Sequence, residues 1–110
     1  ISPLSNLKNL QELRLAETRI SNVQAVANLK ELRWLSLRDT QVLDISPLKS
    51  LKELKWLVLH GTPVSDISPL ADLKNLEVLR VGRTNVPHSQ VEWFRKKLPT
   101  CKIIRTVDFH

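Results

Sequence analysis

Leu54-Lys55-Trp56-Leu57-Val58-Leu59-His60-Gly61-Thr62-Pro63-Val64 is the stretch from which the fold is read. Leu57 and Leu59 alternate with other residues, so they share one face of a short strand, and Trp56, Val58 and His60 share the other. The same pattern stands one period upstream as Leu32-Arg33-Trp34-Leu35-Ser36-Leu37-Arg38-Asp39-Thr40-Gln41-Val42. It returns from Leu10 to Ile20 and from Leu76 to Val86, so that Leu10, Leu32, Leu54 and Leu76 are each 22 residues apart. A fixed period of this length describes units that bury their apolar face only when stacked on a neighbour.

The unit resembles the leucine-rich repeat, L-x-x-L-x-L-x-x-N-x-L, with Thr18, Thr40, Thr62 and Thr84 where that family carries Asn. Ile-Ser-Pro-Leu at 1–4, 45–48 and 67–70 makes it look like the internalin-type class of bacterial leucine-rich repeats. The resemblance covers essentially the whole chain. It implies an α/β leucine-rich-repeat solenoid, curved, with short parallel strands on a concave, protein-binding face and short helical or 3₁₀ segments on the convex face. It does not imply a particular ligand. Thr in place of Asn suits the fold, because a hydroxyl can serve the same backbone groups and β-branching favours extended backbone.

Between the strands the chain carries helix-start signals. Ser precedes Pro at 2–3, 46–47 and 68–69, where Ser can cap and Pro suits the first helical position, and Val23-Gln24-Ala25-Val26 is a weaker equivalent. Leu4, Leu7 and Leu10 fall on one face of such a segment, as do Val26, Leu29 and Leu32, then Leu48, Leu51 and Leu54, then Leu70, Leu73 and Leu76.

After Thr84 the pattern changes. Ser89-Gln90-Val91-Glu92 has capping-box spacing, and Val91, Phe94 and Leu98 follow as the apolar stripe of an amphipathic helix. Lys96 and Lys97 favour its C-terminal dipole and Pro99 stops it. Continued at the same period, Cys101 takes the place of Leu79, Ile103 that of Val81 and Thr106 that of Thr84, and Asp108 ends the apolar pattern. The expected organisation is one domain over 1–110: four repeats and a partial fifth, with 87–110 as a C-terminal cap. Because Ile1 falls within a repeat, we expect a fragment lacking an N-terminal cap, whose uncapped end frays or pairs with a second copy.

Composition narrows the function. The 110 residues hold 17 Lys and Arg against 11 Asp and Glu, a net charge of +6 that permits nucleic acid, anionic surfaces or acidic proteins as partners. No apolar run approaches the roughly 20 residues of a membrane span, so membrane insertion is not expected. Cys101 is the single cysteine, which rules out an internal disulfide. Gly61 and Gly82 are the two glycines, too few for a phosphate-cradling loop. His60 has no adjacent nucleophile, and the chain is not expected to be an enzyme or to need a cofactor or metal. Asn22, Asp44, Asp66 and His88 form a column that invites a metal reading, but Asp44 and Asp66 suit turn caps, with His88 pairing to Asp66.

Strand alternation lays out the concave face in three columns: Glu12, Trp34, Trp56, Val78 and Thr100; Arg14, Ser36, Val58, Arg80 and Lys102; Ala16, Arg38, His60, Gly82 and Ile104. Trp34 and Trp56 fall on adjacent strands, flanked by Arg14, Arg38, Arg80, Val58 and His60, and Trp and Arg dominate binding hot spots. Cross-strand stacking that merely covers the sheet is the plainer alternative. The expected function is a protein- or peptide-binding module with these residues as the contact surface and a partner that carries acidic groups. Two other readings stand beside it: a basic solenoid that binds nucleic acid, with the ladder Lys8, Lys30, Lys52, Lys74 and Lys96 tracking phosphates, or a spacer for another domain. Glu31 and Glu53 beside that ladder favour a solvated surface instead.

Overall fold

The computed structural model describes residues 11–15 and 23–105. The readings placed on Ile1 to Leu10, Ala16, Thr18, Ile20, Asn22, Thr106 and Asp108 lie outside the described residues. Five three-residue strands form one parallel sheet in chain order: β1 (Glu12–Arg14), β2 (Trp34–Ser36), β3 (Trp56–Val58), β4 (Val78–Arg80) and β5 (Lys102–Ile104). Leu13, Leu35, Leu57 and Leu79 are direct partners, as the 22-residue period requires. Backbone pairing runs past the strand ends, from Leu37 N–H to the Val58 carbonyl (2.9 Å) and from Leu59 N–H to the Arg80 carbonyl (2.8 Å).

The core is a stack of equivalent positions. Leu35, Leu57 and Leu79 are fully buried, and behind them lie Leu37, Leu59 and Val81, then Val42, Val64 and Val86. On the return path Leu48, Leu51, Leu70 and Leu73 close the layer. Each such side chain removed from water contributes about 1.5–3 kcal/mol, and it does so against the next repeat rather than a common centre.

Among the described residues three 3₁₀ segments, Gln24–Asn28, Ser46–Ser50 and Ser68–Leu70, make the convex side. Pro47 and Pro69 sit near their starts, as the sequence indicated, but the Ser hydroxyl is not the cap. Asp44 Oδ1 accepts the Ser46 N–H and Asp66 Oδ1 the Ser68 N–H, each at 2.9 Å. A carboxylate two residues back closes this turn with better reach than a hydroxyl in the first helical position. At the opposite corner the threonines behave as expected. Thr40, Thr62 and Thr84 donate their hydroxyls to the carbonyls of Leu37, Leu59 and Val81, each at 2.7 Å.

The last connection departs from the expected register. An α-helix, α1 (His88–Lys97), replaces the 3₁₀ segment, burying Val91 and Phe94 with Leu98 just beyond. Leu79 then pairs with Ile103, Val78 with Lys102 and Arg80 with Ile104, a step of 24 residues instead of 22. An α-helix advances about 1.5 Å per residue against about 2.0 Å for 3₁₀, so the fuller helix takes up extra chain before the sheet resumes. Two residues is an even slip, so the strand keeps its facing while every side chain on the face shifts into the neighbouring column. Thr100 therefore leaves the tryptophan column and Lys102 enters it. Ile103, not Cys101, takes the place of Leu79, although Cys101 is still buried. The expected capping box is also absent. Pro87 is the N-cap residue with no side-chain cap, and Gln90 is engaged elsewhere.

Candidate functional site on the concave face

The strand register sets Glu12, Trp34, Trp56, Val78 and Lys102 in one row, with Arg14, Ser36, Val58, Arg80 and Ile104 beside it. Trp56 is 38% exposed while its neighbour Leu57 is fully buried, so the face assigned to each from alternation is correct. Trp34 is half-buried. Among the described residues the two indole rings do not form a stacked pair. Arg14 instead lies over Trp34, its guanidinium carbon 4.8 Å from the ring centroid. A cation over an indole face is favourable, and here it shields part of that ring.

The arginines differ sharply in what already holds them. Arg14 Nε meets Glu12 Oε2 at 2.7 Å on the same strand face. Arg38 Nε meets Asp39 Oδ2 at 3.4 Å at the strand-to-turn corner. Arg80 is half-buried, and its Nε is buried without a hydrogen-bond partner. Lys102 is exposed one strand further on. The expectation that Val58 and His60 present contact surface is not met: they are 7% and 5% exposed, and Ser36 is similarly covered. Strands about 4.8 Å apart bring long side chains together over the smaller groups between them, so Ser36, Val58 and His60 form a floor. The Glu12-x-Arg14 pairing was legible in principle, since residues two apart on a strand share a face. The Arg38 pairing depends on a left-handed turn at Asp39, φ 57°, which no motif announced.

The other candidates resolve into structural roles. Lys30, Lys52, Lys74 and Lys96 are all exposed, with Glu31 and Glu53 exposed next to the first two. His88 does not pair with Asp66. Its Nε2 lies 3.7 Å from Glu92 one helical turn on, and Asp66 receives the Gln90 amide at 3.0 Å. Hydrogen bonds from Ser46, backbone first, hold the Asp44 carboxyl below its usual value, and Ser68, hydroxyl first, does the same for Asp66. Among the described residues no three His, Cys, Asp or Glu side chains gather as metal ligands. Burial pushes the Cys101 thiol up to about 11, the opposite of what a nucleophile needs. No helix among the described residues is long and apolar enough to cross a membrane.

A parallel sheet built one short strand per repeat, with convex 3₁₀ returns, defines a leucine-rich-repeat solenoid. The 22-residue repeat and its fold are internalin-like. The chain superposes on an internalin, InlF, from Listeria monocytogenes with a TM-score of 0.84 at 28% identity, over 97% of this chain and 32% of that one. Internalin C2 from the same organism gives 0.81 at 28% identity, over 96% of this chain and 47% of that one. A leucine-rich-repeat protein from Leptospira interrogans gives 0.78 at 29% identity, over 96% and 27%. The chain thus spans between about a quarter and a half of the length of these structures. No protein-family model and no curated protein sequence matches it. The likeness supports, in general terms, a protein-interaction module.

Proposed function

We propose that this chain recognises a protein or peptide segment on its concave face, with Trp34 and Trp56 as apolar anchors and the flanking arginines as polar contacts. The observation that carries the reading is Trp56, more than a third exposed on a sheet face where Ser36, Val58 and His60 are buried. An aromatic ring left in water on a rigid sheet contributes little to folding, and a ring of this size is the commonest kind of binding anchor. The reading has no catalytic step and needs no cofactor. Binding of nucleic acid is the competing function; phosphate tracking would make affinity fall steeply with salt, whereas an aromatic-anchored protein contact depends on salt weakly.

The test compares neighbours on one strand. Trp56→Ala should leave the folded state within about 1 kcal/mol of the parent, because the ring faces solvent. It should cost a concave-face ligand about 2 kcal/mol or more. Leu57→Ala should destabilise by about 2–5 kcal/mol through the cavity it leaves. Full binding by Trp56→Ala, measured by calorimetry against a partner captured on the parent protein, would remove the concave face from the function.

A further inference from the structure

The concave face is electrostatically lopsided. Its N-terminal half is neutralised from within, Arg14 by Glu12 and Arg38 by Asp39. The strand positions from β3 to β5 carry Trp56, Val58, Val78, Arg80, Lys102 and Ile104, without a carboxylate. Arg80 and Lys102 have no ion-pair partner among the described residues, and the Arg80 Nε is withdrawn from water with its hydrogen-bonding capacity unused. A guanidinium left so is costly, and a carboxylate is the group whose geometry relieves it. Lys102 pairs in register with Val78, so it stands diagonally across from Arg80, about 8 Å away by strand spacing and rise. Two long cationic side chains at that spacing can converge on one anion. Trp56 and Val78, partners in the adjoining row, give an apolar strip directly alongside.

We infer that the partner is a protein segment that sets an acidic side chain between Arg80 and Lys102 and an adjacent apolar side chain against Trp56 and Val78. The inference rests on the concave-face reading and makes it specific: charge recognition belongs to β4 and β5, while Arg14 and Arg38 are held by their own acids. The two-residue lengthening of the last connection sets Lys102 beside Val78 and diagonal to Arg80, where a 22-residue step would have put it directly across from Arg80 and Thr100 beside Val78.

The test uses two defined probes, N-acetyl-Phe-Glu-amide and N-acetyl-Phe-Gln-amide, titrated at millimolar concentration into isotope-labelled protein, with arginine Nε–H and tryptophan indole resonances followed by NMR. The expected result is a saturable shift of Arg80 Nε–H and of the Val78 and Lys102 amides with the Glu probe, several-fold smaller with the Gln probe. In the Arg80→Gln/Lys102→Gln double variant, whose amide spectrum reports that it is folded, the two probes should become equivalent. Shifts centred on Arg14 and Arg38 would overturn the assignment. Indole shifts of Trp56 equal for both probes, with Arg80 unmoved, would overturn it and leave the concave-face reading standing. Shifts confined to the convex lysines would overturn both. A short single-stranded oligonucleotide that moves Arg80 while the Glu probe does not would replace the acidic side chain by a phosphate and so refute the proposal.

Discussion

The Asp39 carboxylate rests in the space that a side chain on Gly61 would fill. A β-carbon built on Gly61 would lie 2.0 Å from Asp39 Oδ1. The two residues hold the same place in successive repeats, and both adopt left-handed backbone, φ 57° at Asp39 and 80° at Gly61, as does Arg83 one repeat on at 54°. Asp39 N–H reaches the His60 carbonyl and Gly61 N–H the Gly82 carbonyl, so this corner continues the sheet pairing. Gly61→Ala should therefore destabilise by about 1–2 kcal/mol from the left-handed penalty, with a further cost from displacing the carboxylate. Asp39→Ala in the same chain should recover only the second part. A double-mutant cycle by urea denaturation measures the split, and purely additive effects would show that the contact carries no weight.

Gln90 of α1 bridges two elements. Its Oε1 accepts the Ile67 N–H at 2.6 Å and its Nε2 donates to Asp66 at 3.0 Å. Gln90→Ala should cost about 1–2 kcal/mol, because the Ile67 N–H loses its acceptor. Gln90→Glu keeps that acceptor but sets a second carboxylate against Asp66, so one of the two is pushed above the ordinary carboxylate range. Its penalty should be present at pH 7 and fade as pH falls toward about 4, when the raised group takes up a proton. Asp66 itself is held below the ordinary carboxylate value by the Ser68 hydroxyl and N–H, so the stability it contributes is lost only as pH falls through that lowered value. Thermal melts of the two variants from pH 7 to pH 4 check this; a penalty independent of pH would mean that the two carboxylates do not meet.

The leucine period announced the strands, their register through β4 and their facing, because a one-residue error would have exposed Leu57 and buried Trp56. The corner threonines were legible for the same reason, as a residue type repeating where the backbone must turn. The register of β5 was not, since the number of residues a connection consumes depends on whether it closes as 3₁₀ or α. Nor was the state of each arginine. Charge in the sequence says nothing about whether Glu12 or Asp39 has already claimed it, and the burial of Val58 and His60 depends on neighbouring strands that alternation within one strand does not reveal.

Cys101 is buried, and burial raises its thiol to about 11. The thiolate is the reactive form, so a thiol reagent at pH 8 should label the native protein far more slowly than the urea-unfolded chain. The linkage has a definite sign. Below about pH 9 the thiol is protonated folded or unfolded and adds no pH dependence. Between about 9 and 11 the unfolded state releases its proton first, so stability falls as pH rises. Labelling at equal rates in the two states would place Cys101 at the surface and dislodge the segment leading into β5.

Protection from exchange should be graded along the solenoid. Leu13 and Leu15 are only half-buried, whereas Leu57 and Leu59, their equivalents two repeats on, are fully buried. β3 pairs on both sides, with β2 and β4, while β1 pairs with β2 at one end of the described sheet. In a stacked array the opening of a unit is opposed by its own stability and by each interface that it shares. Amides of residues 12–15 should then exchange faster than those of 56–59, by a factor that shrinks if a second copy covers β1. Native-state hydrogen exchange resolved by residue, repeated across a dilution series, measures both effects. Faster exchange at β1 that is independent of concentration assigns the difference to a weaker unit. Equal protection in a sample shown to be monomeric would mean that Leu13 and Leu15 are held as firmly as the middle of the sheet.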